Sequence, residues 1–347
     1  MKQINNSVLI GKKLVRDKGG WCDFPDGTGG IVAMRKVDNL LEIYKVDRIF
    51  TVIHPSSIDP ERKEPDRKML IKTLKKGTSN KIVARCFLQL YDLLIILNSQ
   101  HNKRNEIIIK LKKGRDYLLE CENAYLNLRK EQENCVNNIQ SNKMGKGNNV
   151  ITNFPEIPLL NSYCTTFLIN AKKFIINNLD IFNIFYKSEL NKIDKIIKFL
   201  QENYPQNKEL ISYLTLVQST IKRIFDFRNR LEHPKCDYML TINDFELYNT
   251  DVKKPNWHIS LEKKYEICSD MKALIDVMIV FSEIIFINSL FTFPGNSVFP
   301  IRLETIKNED INKHCPIKYV AYGEVGDNKY VRIGNSLGYE KNLEKYL

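Results

Sequence analysis

The eight cysteines, at positions 22, 86, 121, 135, 164, 236, 268 and 315, include no C-x-x-C pair, and none has a histidine at zinc-ligand spacing. A zinc ribbon or finger is therefore not expected. The chain has no G-x-S-x-G, no H-E-x-x-H and no dinucleotide-binding glycine fingerprint. Its one glycine cluster, Asp26-Gly27-Thr28-Gly29-Gly30, is not followed by Gly-Lys-Ser/Thr, so it reads as a turn rather than a phosphate loop. Internal repeats are lacking. The opening Met1-Lys2-Gln3-Ile4-Asn5-Asn6 carries no apolar targeting core, which predicts a cytoplasmic protein with reduced thiols. The longest apolar run, Val277 to Phe293, is broken by Glu283 and Asn288 and preceded by Lys272 and Asp276. It is too short and too interrupted for a membrane span and predicts a buried bundle helix. No metal or cofactor is expected. His54, with Asp59, Glu64 and Asp66 nearby, sits in a proline-rich polar stretch read as a surface loop, and His314-Cys315, beside Pro316, reads as incidental.

What the chain does have is material for a core. Of 347 residues, 43% are hydrophobic, which excludes wholesale disorder and leaves room for two or three domains. The formal charge of +12 and a pI of about 9.1 suit an acidic partner such as RNA, DNA or an anionic surface. The chain is heavy in Lys, Asn and Ile, the composition that a genome rich in A and T gives any protein, so the excess of lysine needs no partner to explain it.

The hydrophobic periods predict a mainly helical, α+β chain. Residues 1–78 read as strands and loops, with strand-like runs at Ser7–Ile10, Ile31–Met34 and Arg48–Ile53. Residues 79–140 read as helical, over 80–98 and about 112–138. Residues 141–158 are the linker candidate, rich in Gly, Asn and Lys up to Asn149 and broken further by Pro155 and Pro158. From 159 to 293 the pattern is a helical bundle. One helix runs from Leu159 towards Phe185, and Ser188 is expected to cap the next. Pro205 separates that helix from one at about 207–232, and the last spans about 264–292. A hairpin-type insertion is expected at 238–262, where Lys253, Lys254 and Trp257 are candidates for nucleic-acid contact. Residues 294–347 alternate like strands around Gly326-Asp327-Asn328 and are expected to pair with the N-terminal strands in one small β region.

The helix at about 207–232 holds the most informative stretch. Ile211, Leu214, Val217, Ile221 and Ile224 recur every three or four residues as one apolar stripe. The next position on it is Arg228, then Leu231, then His233 and Pro234, which makes a continued helix unfavourable. A fixed cation and an imidazole are delivered together to one helix end, a pairing suited to phosphate chemistry.

Arg228-Asn229-x-x-x-His233 resembles the R-x(4–6)-H signature of the HEPN superfamily, over residues 155–293 or so. The resemblance implies a helical bundle, a homodimer and a metal-independent endoribonuclease of toxin or anti-phage type, without cofactor. In that chemistry the RNA 2′-hydroxyl attacks the adjacent phosphate. His233 moves a proton, Arg228 stabilises the phosphorane and Asn229 orients a neighbour. Arg230, Glu232, Lys222 and Arg223 are candidates for contacting the RNA, and an antitoxin or defence-system protein is a candidate partner. Two plainer readings stand beside it. Arg228 and Glu232, at i,i+4, can form an ordinary helix-end ion pair with His233 favoured by the helix dipole, and Arg230, Arg223 and Lys222 can be solvated surface. A HEPN-like module can also act without catalysis, as a dimerising nucleic-acid or protein adaptor.

Overall fold

The computed structural model describes residues 29–64, 68–97, 102–141, 155–233, 239–248, 251–260, 263–293, 301–324 and 330–333. The strand expected at Ser7–Ile10, most of the expected linker, Pro234 and the Gly326-Asp327-Asn328 turn lie outside them. The chain divides into two compact units: residues 1–84 with 301–347, and residues 85–300.

The first unit opens with an antiparallel meander of β1 (Ala33–Val37), β2 (Leu40–Tyr44), β3 (Ile49–Ile53) and β4 (Leu70–Leu74). Along β1, Ala33, Arg35 and Val37 are buried while Met34 and Lys36 face out, the period-two pattern of a half-buried strand. Its hairpin to β2 turns at Asp38, whose φ of 54° suits the short polar side chain. After β3, His54 caps the short helix α1 (Pro55–Ile58), its Nδ1 accepting from the Ser56 N–H at 3.3 Å. Asp59 accepts from the N–H groups of Lys63 and Glu64. Gly77 crosses the turn between β2 and β3 so closely that a Cβ there would lie 2.4 Å from Arg48 N, Lys45 O and Val46 O.

A helical run follows: α2 (Lys81–Val83), capped by Asn80, a π-helical turn at Ala84–Leu88, and α3 (Gln89–Leu97). In the second unit α4 (Arg104–Ser141) starts well before the expected position, because Ile107, Ile108 and Leu111 are already buried. It packs along α5 (Leu160–Tyr186), so the two helical regions flanking the expected linker belong to one unit. Their close approach uses Gly114, where a Cβ would meet Asn177 Nδ2 at 3.0 Å, and Asn177 donates to Lys110 O at 2.8 Å. Next come α6 (Ile193–Asn203) and α7 (Lys208–Glu232). Ser188 does not cap α6, whose N-cap is Lys192, with no side-chain cap bond. Its hydroxyl instead donates to Asn183 Oδ1, and the same Asn183 side chain bonds both backbone groups of Leu190, fixing the connection after left-handed Lys187.

The insertion is a hairpin assembly as expected. β5 (Thr241–Asn243) pairs with β8 (Asn256–His258), which also pairs with β9 (Tyr265–Glu266), while β6 (Glu246–Tyr248) and β7 (Asp251–Lys253) form a hairpin between them. Then α8 (Ile267–Thr292) closes the bundle against α4, α5 and α7. It is apolar and long enough to cross a membrane by composition, yet most of it is buried within the bundle, as in the core helix of a soluble protein. Glu283, fully buried at its middle, accepts from Arg85 Nε at 2.7 Å and Gln89 Nε2 at 3.1 Å, so the charge interrupting the apolar run is paired.

The chain returns to the first unit with β10 (Ile301–Thr305), β11 (Tyr319–Glu324) and β12 (Tyr330–Ile333). These make their own sheet in the order β10-β11-β12 and do not pair with β1–β4, contrary to expectation. Each strand finds its partner across a short connection, which costs less chain entropy than pairing with a strand more than two hundred residues away. The two segments do meet: Thr78 Oγ1 donates to His314 O at 2.6 Å.

Candidate functional site

The site is built at the C-terminal end of α7. Leu210, Leu214, Val217, Ile221 and Ile224 are buried, and the stripe continues to Phe227, not to Arg228. From Ile224 a step of three residues stays on the inner face, while a step of four reaches its rim. Arg228 is therefore not a core-facing arginine; its side chain is 24% exposed and paired with Glu232, one turn on. His233 closes the helix as its C-cap, its N–H donating to Asn229 O, and its side chain is 77% exposed. Its Nε2 lies 4.0 Å from Glu232, so the carboxylate stands between the guanidinium and the imidazole.

A residue that the helix's own sequence could not reveal joins them. Lys172, on α5, donates to Asn229 Oδ1 at 2.9 Å, with its ammonium 5.5 Å from the Phe225 ring. Burial, then the neighbouring Arg228, push its pKa below the ordinary lysine value, against an opposing pull from Glu232. The end of α7 thus gathers Lys172, Arg228, Asn229, Glu232 and the exposed His233 on one surface.

The other predicted contacts scatter. Lys222 pairs with Asp194 of α6 at 2.9 Å, one turn or more back along α7. Arg230 is half-buried. Arg223, expected to contact RNA or else to be solvated surface, instead turns towards the buried Asp270, with its side chain 19% exposed. Its Nη2 donates to Asp270 Oδ1 at 2.9 Å, and its guanidinium lies 4.0 Å from the centre of the Tyr265 ring and 5.5 Å from that of Phe227. Trp257, expected as a nucleic-acid contact, is fully buried, and its Nε1 donates to the same Asp270 carboxylate at 2.7 Å. Lys253 and Lys254 remain exposed. The six described cysteines are all buried. Burial pushes the thiols of Cys86, Cys121, Cys164 and Cys268 well above the ordinary range, so none of these four is a nucleophile near neutral pH.

No family model, no curated protein and no solved structure matches this chain.

Proposed function

We propose that the end of α7 is a phosphodiester-cleaving site and that the protein is a HEPN-like, metal-independent endoribonuclease. The observation that carries this reading is the convergence of two cations, an amide and a largely exposed histidine on one surface. Arg228 and Lys172 supply the positive charge that a phosphorane dianion needs. His233 is free to reach a substrate and to move a proton from the 2′-hydroxyl or to the leaving 5′-oxygen. Asn229, held by Lys172, orients the ammonium. RNA is the substrate, leaving a 2′,3′-cyclic phosphate and a 5′-hydroxyl. One histidine does not serve as acid and base at once, so a homodimer that brings two α7 ends together completes the site. The biological setting that fits is a cytoplasmic toxin or anti-phage effector restrained by an antitoxin or defence-system protein.

One observation favours a second reading. The Arg228–Glu232 pair occupies the guanidinium in the free chain, as a purely structural helix-end pair would. A non-catalytic adaptor would keep that pair closed.

The test is RNA cleavage by purified protein in EDTA, with Arg228→Ala and His233→Ala beside the wild type and the product ends analysed. Cyclic phosphate ends, lost in both variants, are expected. Equal cleavage by all three proteins assigns the activity to another site, and no cleavage by a dimer whose α7 ends lie far apart selects the adaptor.

A further inference from the structure

A groove of about 650 Å³ opens between α5, the start of α4 and the connection that follows α5, with Phe225 of α7 in its wall. That volume falls in the range of small-molecule sites. Two levels of side chain join it to the cluster at the end of α7. On α5, Ile176 follows Lys172 by one turn, and on α7, Phe225 precedes Asn229 by one turn. Lys172 and Asn229 are bonded to each other at 2.9 Å, and Ile176 and Phe225 both line the groove. The Phe225 ring also lies 5.5 Å from the Lys172 ammonium, so the groove begins one side chain away from that cation.

The groove differs from the cluster in chemistry. Ile176 is 40% exposed and Phe225 is half-buried, so an aliphatic and an aromatic surface stand open there. Much of the polar lining is already engaged. Lys110 pairs with Asp180 at 2.9 Å, and the Asn183 side chain bonds the Ser188 hydroxyl and both backbone groups of Leu190. The charged lining residues are two lysines and three carboxylates, so the groove has no positive excess with which to hold a phosphate. It suits a flat, uncharged ring, and aromatic side chains stack nucleobases of any identity because every base has a π-face.

A phosphodiester supplies such a ring. With its phosphorus at Arg228 and Lys172, its ester oxygens carry a nucleoside on each side, and a base must lie beside the cluster. A base can enter the groove only when it is out of a duplex, since in a helix its faces are stacked and its edge is paired.

We infer that this groove takes one unstacked base of single-stranded RNA, next to the scissile phosphate, against Phe225 and Ile176. The inference deepens the proposed function and rests on its placement of the phosphate at Arg228 and Lys172.

Anisotropy titrations of the full chain with labelled 2′-O-methyl RNA test it, because such a strand lacks the attacking hydroxyl and is bound without being cut. The wild type is expected to bind the single strand at least about fivefold more tightly than an abasic strand of equal length. Phe225→Leu should weaken the single strand by about fivefold or more, and Ile176→Ser, a change at an exposed position, should weaken it in the same direction. Neither should alter binding of the abasic strand or of the same sequence in a duplex, whereas Arg228→Ala should weaken all three. Equal binding of single and abasic strands by the wild type overturns the proposal, as do two variants that bind the single strand like the wild type. The expected pattern without cleavage of the unmodified strand supports the groove and overturns the nuclease reading alone. Cleavage lost in Arg228→Ala and His233→Ala, with single-strand binding unchanged in both groove variants, overturns the groove alone.

Discussion

Two arginines on α7, less than two turns apart, have opposite surroundings. Arg223 pairs with the buried Asp270, which Trp257 also holds, and lies against the rings of Tyr265 and Phe227. Arg228 lies at the rim, with one carboxylate on its own helix, a second cation nearby on α5 and an exposed imidazole beyond. The first arrangement ties the insertion and α8 to α7. The second leaves charge and a titratable ring at the surface, where a substrate can compete for them. An arginine that already has a buried partner is structural, whereas a rim cation crowded by another cation is held in a state that an anion would relieve.

The largest separation between the two is expected in stability. Arg223→Ala leaves Asp270 buried without its cation, which should cost about 3–5 kcal/mol. Arg228→Ala removes an i,i+4 helix pair at the rim and should cost under about 0.5 kcal/mol. Urea denaturation of both variants checks this. Similar losses would mean that the two arginines are held equally firmly.

Activity should reverse the order. His233→Ala is expected to lower the cleavage rate by about 10²–10⁴-fold, the usual span for a proton-transferring group, with the urea midpoint unchanged. A substitution in the buried cluster that is mild enough to fold, Trp257→Phe, should leave cleavage by the folded protein intact and lower stability by about 1–3 kcal/mol through the lost bond to Asp270. Trp257→Phe abolishing cleavage without loss of stability would mean that the buried cluster belongs to the site.

Glu232 decides whether the rim pair is a lock or a strut. If Arg228 must leave Glu232 to take a phosphate, Glu232→Gln should lower KM several-fold with little change in kcat and stability within about 0.5 kcal/mol. A fall in kcat instead would give Glu232 a part in proton transfer.

The sequence period was sufficient for α5, α7, α8 and the insertion hairpin, each of which presents a long stripe or a turn-bounded alternation. It misplaced Arg228 because steps of three and four residues are equally allowed on a stripe, and only packing chooses Phe227 over Arg228. Trp257 and Arg223 were misread for a related reason: a three-residue strand and an off-stripe arginine do not say which neighbour will cover them. Asp270, which binds both, stands in the first turn of α8, where an acid is favoured by the helix dipole alone. Lys172 was out of reach altogether, since its partner Asn229 is 57 residues away and one lysine on a half-exposed face has no local signature. Glu283 was visible as an interruption, but its partners Arg85 and Gln89 lie nearly two hundred residues earlier.

The finest test of the rim cluster is its own titration. Burial and Arg228 lower the Lys172 pKa, and Glu232 raises it. Arg228→Gln should therefore bring it back towards the ordinary lysine value, and Glu232→Gln should depress it further, both readable from the Lys172 Cε chemical shift against pH. The sign for stability follows. Folded Lys172 binds its proton less tightly than the unfolded chain does, so across the interval from its lowered pKa up to the ordinary value the unfolded state holds more protons and stability rises with pH. Below that interval the full penalty for keeping a charged lysine partly buried and beside Arg228 remains. Arg228→Gln should flatten this rise and Glu232→Gln should steepen it. A Lys172 titration that ignores both substitutions would mean that Lys172 does not share a field with the end of α7, and the site would lose its second cation.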